Sequence, residues 1–126
     1  MDNTPKVTLP RVFRDAQGKS HFGELRIDTA LVDFAPPAPP TYVSKPVEAK
    51  RTLFTVLPVG WSGNPHPTPG RQLAVIVRGT VEVTVSDGEK QMGKSGDAIL
   101  FEDTSGEGHA AKNVGTEPAI VSMTQY

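Results

Sequence analysis

The sequence predicts an all-β chain, folded as a sandwich or barrel of short strands. Three observations carry this expectation. Proline and glycine number 12 each among 126 residues, an abundance that helices tolerate poorly and short strands joined by tight turns tolerate well. No segment of 12 or more residues keeps a helical period free of both. Residues 80–86 alternate cleanly, with Val81, Val83 and Val85 on one face and Glu82, Thr84 and Ser86 on the other.

The remaining elements follow along the chain. Residues 1–10 are polar and expected to be mobile. Arg14-Asp15-Ala16-Gln17-Gly18 reads as a turn between two short strands. The second of these covers 21–32, with Phe22, Leu25, Ile27 and Leu31 as its apolar members. Residues 35–40 then place four prolines in five positions, which favours polyproline II. Two readings stay open for this segment: a stiff linker, or an extended arm laid over a barrel face or a neighbouring subunit. A strand over 51–59 leads through the loop 60–65 to His66. Residues 72–77 form an apolar strand of the kind buried on both faces. Arg78-Gly79 turns the chain into the alternating strand. Asp87-Gly88 is a two-residue hairpin signal, and 89–92 return. Ser95-Gly96-Asp97 turns into a strand over 98–101. The loop 102–108 follows, then a strand from His109, a turn at Gly115-Thr116 and a last strand over 119–124. Such even spacing belongs to sandwiches and barrels.

Length and charge bound the function. The chain has the length of one domain and should bury roughly two-thirds of its unfolded surface. Residues 1–50 are expected to supply N-terminal strands and the proline-rich arm, packing on a core formed by 51–126. Net charge is −1, from 13 basic and 14 acidic residues well mixed. This gives no electrostatic reason to expect nucleic acid or an anionic membrane as partner. There is no cysteine, so disulfides and thiolate metal sites are excluded. Residues 1–10 hold no apolar run like a signal peptide, and no stretch approaches the ~20 apolar residues of a membrane helix. A soluble, cytoplasmic protein is expected.

Two histidines in recognisable frames suggest one pocket. The first frame is His66-Pro67-Thr68, then Gln72, then Gly79. The second is Gly96-Asp97, then His109, then Asn113. From Gly60 to the C-terminus, about half of the chain, these frames resemble the cupin superfamily of small jelly-roll β-barrels. The first cupin motif sets a glycine, two histidines, a glutamate and a second glycine at fixed spacings. Gly60, His66, Thr68, Gln72 and Gly79 stand at those positions. The second motif runs from glycine through proline and glycine to histidine and asparagine. Gly96, His109 and Asn113 match it, Glu102 stands at the proline position, and the loop before His109 is longer than usual.

The resemblance implies a single-domain jelly-roll barrel with its site inside. It also implies four metal ligands, three histidines and one glutamate, of which only His66 and His109 remain here. On a strand, residues two apart share a face, so His66 and Thr68 are expected to point inward together. The cupin frame places Gln72 toward the same cavity and brings His109 from the opposite side. Trp61, Phe101 and Met123 are the expected apolar walls of a small-ligand site.

Two good ligands and a poor one, Gln72, fall short of the three protein ligands of a catalytic zinc. They also depart from the two-histidine, one-carboxylate triad of non-haem iron oxygenases. A carboxylate would join only if Glu102, Asp103 or Glu107 folded in from the loop. The cofactor expectation is therefore none, or one weakly held divalent transition metal on His66, His109 and Gln72. Without metal, a pocket imidazole suits general-base work near neutral pH, and Thr68 and Gln72 would hold a developing oxyanion. The leading expectation is acid–base chemistry on a small carbonyl compound, of isomerase, lyase or cyclase type, with His66, His109 and Gln72 as catalytic residues and Thr68, Trp61, Phe101 and Met123 binding substrate. The alternatives are a non-catalytic small-ligand binder or sensor, a metal-dependent oxygenase with a reduced site, and a partner-binding protein with a relic pocket. His21 reads as a surface strand residue, and Arg71 as an exterior or subunit contact unless its loop turns it toward an anionic ligand. Glu82 and Lys90 read as solvated hairpin residues. A homodimer paired through a sheet face is expected, with the proline arm free to cross over.

Overall fold

The computed structural model describes residues 3–126. Among them ten strands run in chain order, with no helix: β1 (Lys6–Arg14), β2 (Ser20–Val32), β3 (Thr41–Ser44), β4 (Arg51–Leu57), β5 (Gln72–Arg78), β6 (Thr80–Val85), β7 (Lys90–Lys94), β8 (Ala98–Phe101), β9 (His109–Asn113) and β10 (Ala119–Gln125). No helix of the described residues is long and apolar enough to cross a membrane.

Seven strands form one sheet in the order β3-β2-β1-β8-β5-β10-β4, and β7-β6-β9 form a second. The two face each other across a core of buried apolar residues, chief among them Val12, Ile76, Val83, Val85, Phe101 and Val121. Each such side chain, fully buried, contributes roughly 1.5–3 kcal/mol. The expected closed barrel is not formed by hydrogen bonding: the sheets are an open sandwich with β3, β4, β7 and β9 at the edges. The connection 58–71 runs beside β9 instead, through the bridges Ser62–Lys112 and His66–His109.

The alternation read at 80–86 is realised. Val81, Val83 and Val85 are buried and Thr80, Glu82 and Thr84 are half-buried. The hairpin at Asp87-Gly88 closes as expected, Val85 N–H donating to the Glu89 carbonyl at 3.0 Å. Three expectations change. Met1 and Asp2 of the polar N-terminus lie outside the described residues, but Lys6–Arg14 is a strand paired along its whole length with β2, and Val12 is fully buried. β1 then joins β8 in parallel, Arg11 beside Leu100 and Val12 beside Phe101. Residues 72–77 are not buried on both faces. β5 alternates, and Val77 is 49% exposed, because none of the described residues covers the outer face of the large sheet there. The short strand β3 was hidden between prolines. It pairs with β2 as a hairpin, so the proline segment 35–40 is the exposed connection between these two strands.

His21 does more than face solvent. Its Nε2 meets Asp15 Oδ2 at 2.7 Å and its Nδ1 meets Asp87 Oδ2 at 2.7 Å, clasping the β1–β2 turn to the β6–β7 turn. The hydrogen bond to Asp15, then that to Asp87, raises the imidazole pKa. The His21 hydrogen bond holds the Asp15 carboxyl low; the Glu89 backbone N–H, with His21, does so for Asp87. The signs fix a window. The histidine's contribution is full below its ordinary value of about 6.5 and is lost as pH rises through the raised value. The carboxylates' contribution is present above about 3.9 and is lost as pH falls through their depressed values. Unfolding in urea should show a stability gain near pH 5.5 over pH 9 that His21→Gln removes. An identical pH dependence in the two proteins counts against the clasp.

Candidate functional site

Local chain geometry sets the two histidines face to face. Gly108, at φ +76°, turns the loop 102–108 into β9. His109 N–H then donates to the His66 carbonyl at 3.0 Å, and His66 N–H to the His109 carbonyl at 2.9 Å. The ring centroids lie 5.1 Å apart at 49°. His66 is exposed at the cavity mouth, whereas His109 is 6% exposed and stacks on Phe101, with centroids 4.3 Å apart.

Both imidazoles are oriented through Nδ1. His66 Nδ1 lies 2.8 Å from the Asn64 carbonyl, which only accepts, so Nδ1 carries the hydrogen and Nε2 is left for chemistry. His109 Nδ1 lies 2.7 Å from Asp103 Oδ2. That carboxylate is fully buried, and its Oδ1 accepts no hydrogen bond from the described residues. A carboxylate at Nδ1 fixes both the tautomer and the plane of the ring.

The loop carrying Asp103 is clamped by the N-terminal hairpin. Ser20 Oγ, fully buried, donates to the Gly108 carbonyl at 2.6 Å, and Glu107 N–H donates to the Gly18 carbonyl at 2.8 Å. Arg14 Nη1 reaches Ser105 Oγ at 2.8 Å. The motif asparagine is structural. Asn113 Nδ2 donates to the carbonyls of Leu57 and Glu117 at 3.0 and 2.8 Å, and its Oδ1 accepts from Gly115 N–H at 2.9 Å. It staples the start of the 58–71 connection to the β9–β10 turn.

The cavity between the sheets measures about 110 Å³. Trp61, Phe101 and Met123 line it, together with His66, Gln72 and His109, and among the described residues its wall holds no lysine, arginine, aspartate or glutamate. Thr68 does not line it. Pro67 and Pro69 keep this segment out of a regular strand, so residues two apart do not share a face. Its hydroxyl donates to the Gly70 carbonyl at 2.7 Å and its N–H to the Asp103 carbonyl at 3.0 Å. Thr68 therefore supports the Asp103 loop and is not part of the cavity wall.

Two residues take roles that the sequence does not assign them. Asp103, one of the three loop carboxylates that could fold in toward a metal, instead pairs with His109 Nδ1 from behind the ring. Thr55 lines the cavity with a buried hydroxyl that has no partner among the described residues. It is the polar member of the inward row Leu53, Thr55, Leu57, a signal open to alternation analysis. Arg71 lies outside, where it and Arg11 hold Glu102 at 3.1 and 2.7 Å. Burial pushes the Glu102 carboxyl up, and the two guanidiniums outweigh it and bring it below the usual range.

The residues present do not fit a metal held by three protein ligands. Among the described residues no group of three His, Cys, Asp or Glu converges. Asp103 sits behind His109, Glu102 is outside, and Glu107 faces Lys19 at 3.6 Å. Gln72, a neutral and poor ligand, turns its Oε1 to Gln125 Nε2 at 3.0 Å.

Fold and site together define a small two-sheet β-protein enclosing an apolar cavity with a histidine pair at one end. The family profile for the cupin domain matches residues 53–124, more than half of the chain. The chain belongs to the cupin domain family. Its fold is similar to the cupin domain of Cnp3 from Schizosaccharomyces pombe, at 13% identity over 94% of this chain and 88% of that one, with a TM-score of 0.51. A conserved protein of unknown function from Streptococcus pyogenes matches at 23% identity over 64% of this chain and 69% of that one, with a TM-score of 0.46. No curated protein matches the chain.

Proposed function

We propose that the cavity performs metal-independent acid–base chemistry on a small, uncharged carbonyl compound. The observation that carries this reading is the buried Asp103 carboxylate, whose one hydrogen bond within the described residues goes to His109. A buried carboxylate with an oxygen left unpaired costs stability, so its presence calls for a task. Holding His109 with Nε2 toward the cavity is such a task. His109 takes a proton from carbon beside the carbonyl, Gln72 stabilises the oxygen that gains charge, and His66 at the mouth exchanges the proton with water. Isomerase, lyase and cyclase reactions share this first step. The uncharged wall favours a substrate without phosphate or carboxylate, since a buried, unpaired anion is costly.

Deuterium uptake tests the reading whatever the final product of the reaction. A library of small ketones and aldehydes in D₂O should contain members whose α-hydrogens exchange faster with the protein than with buffer, and His109→Gln should abolish the difference. A library with no enhanced exchange sinks the reading. Saturable binding without exchange would move the assignment to ligand storage or sensing, which the same apolar wall also suits.

We further propose a homodimer through the outer face of the large sheet. Phe54 and Val56 on β4 are 70% and 59% exposed, Val77 on β5 is 49% exposed, and Ile120 on β10 pairs with Val56 between the two strands. Ile120 is half-buried, and exposed apolar side chains grouped in this way suit an interaction surface. Sedimentation at micromolar concentration should give twice the 13.5 kDa chain mass, and a Phe54→Lys variant should shift it to one chain. A wild-type monomer rules the pairing out.

A further inference from the structure

The geometry points to a polarity relay, Arg51–Gln125–Gln72, that makes the cavity a hydrogen-bond donor to its ligand's oxygen. This rests on the acid–base reading of the site above and specifies it. The three residues are lateral neighbours at the ends of three strands. Gln125 on β10 stands beside Arg51 on β4 and beside Gln72 on β5, and Gln72 stands beside Phe101 on β8. Arg51 Nε donates to Gln125 Oε1, and Gln125 Nε2 donates to Gln72 Oε1 at 3.0 Å.

The direction of this row is set by chemistry. The two ends of a carboxamide look nearly alike, and which is oxygen must be argued from partners. A guanidinium only donates. Gln125 must therefore turn its oxygen to Arg51 and its NH₂ to Gln72. Gln72 must in turn offer its oxygen to Gln125, which leaves its own NH₂ as the end without a partner among the described residues. Gln72 is 6% exposed and lines the cavity. The donor-only charge at the strand edge thus fixes the sign of a buried amide two residues away across the sheet.

The consequence is selectivity. Gln72 gives the cavity a donor near the histidine pair, whose Nε2 positions accept when neutral. A carbonyl oxygen, or the oxyanion formed as a neighbouring C–H is ionised, meets Gln72 favourably. A ligand presenting a hydroxyl hydrogen there loses that match. Gln125 and Arg51 touch no ligand and act as positioning residues.

Gln125→Glu reverses the row. A glutamate accepts from Arg51 and also demands a donor from Gln72, so the Gln72 amide turns over and shows the cavity its oxygen. Two readouts follow. In the ligand-free protein, nuclear Overhauser contacts from the Gln72 NH₂ to Phe101 ring or Met123 methyl hydrogens should be present in the wild type and absent in Gln125→Glu. With cyclopentanone and cyclopentanol as probes, the ratio of ketone to alcohol affinity should fall about tenfold, the worth of one neutral hydrogen bond. A purely structural role for Gln125 would weaken both probes together and leave the ratio unchanged, which overturns the relay, as does a wild-type NH₂ turned away from the cavity. Should Gln125→Glu fail to fold, Arg51→Met removes the constraint without adding charge and should lower the ratio by two- to threefold. An unchanged ratio there overturns the relay equally. The outcomes separate the two claims: a shifted ratio without α-hydrogen exchange leaves the relay standing and removes catalysis, exchange with an unchanged ratio does the reverse, and no binding of either probe by the wild type overturns both.

Discussion

Gly108→Ala should remove a large part of the protein's stability. A Cβ at this position would lie 2.1 Å from the carbonyl carbon of His66, 2.2 Å from its oxygen and 2.4 Å from Pro67 N, all backbone atoms that cannot rotate aside. The residue also sits at φ +76°, which costs an L side chain further strain. Overpacking and strain cost roughly 1–3 kcal/mol each, so a loss of about 3–5 kcal/mol is expected out of the 5–15 kcal/mol typical of a domain. Gly88→Ala serves as the comparison. It shares a positive φ, +99°, but meets nothing within 4 Å, and should show only the conformational cost of about 1 kcal/mol. Urea unfolding followed by circular dichroism measures both. Equal midpoints for the two variants would mean that the loop does not press against His66 as described.

Asp103→Asn should lower the rate of α-hydrogen exchange by a factor on the order of 10²–10⁴, the usual range for losing a well-placed acid–base group. The side chain keeps its shape. It loses the charge that accompanies a proton on His109, and its NH₂ group can reverse the hydrogen bond at Nδ1 and select the wrong tautomer. Ligand affinity should change little, because Asp103 lies behind His109 and outside the cavity wall. Nitrogen-15 shifts of the imidazole give a check without substrate: His109 should be the Nδ1–H tautomer in the wild type and a mixture in the variant. Exchange that survives Asp103→Asn at full rate removes the role assigned to the carboxylate.

Much of this molecule can be read from its sequence where a residue's surroundings are local. Val81, Val83 and Val85 announce their burial by spacing alone. Gly79, Gly96 and Asp87-Gly88 announce turns, and all three glycines have positive φ. The histidine frames bring His66 and His109 into one site, as the resemblance implies. What was hidden depends on partners far along the chain or on broken regularity. Asp103 reaches His109 only because the loop 102–108 folds back, held by Ser20 and Gly18 from a hairpin with no motif of its own. Thr68 fails the two-residue rule because prolines on both sides prevent the strand that the rule assumes. Val77 is apolar in sequence and open to solvent in the structure, since an uncovered sheet face cannot be recognised from one strand. The sign of the Gln72 amide required Arg51, 21 residues earlier and two strands across.

The reciprocal main-chain bonds between His66 and His109 have one more consequence. The spacing of the two imidazoles is set by backbone pairing between β9 and the 58–71 connection, whereas Ile76, Val83, Ile99 and Met123, which shape the cavity, come from β5, β6, β8 and β10. Those four positions can change in size without moving the histidine pair. On the acid–base function proposed above, the fold separates what is recognised from what is done to it, and a descendant of this chain can take a new compound while inheriting the placement of its two imidazoles.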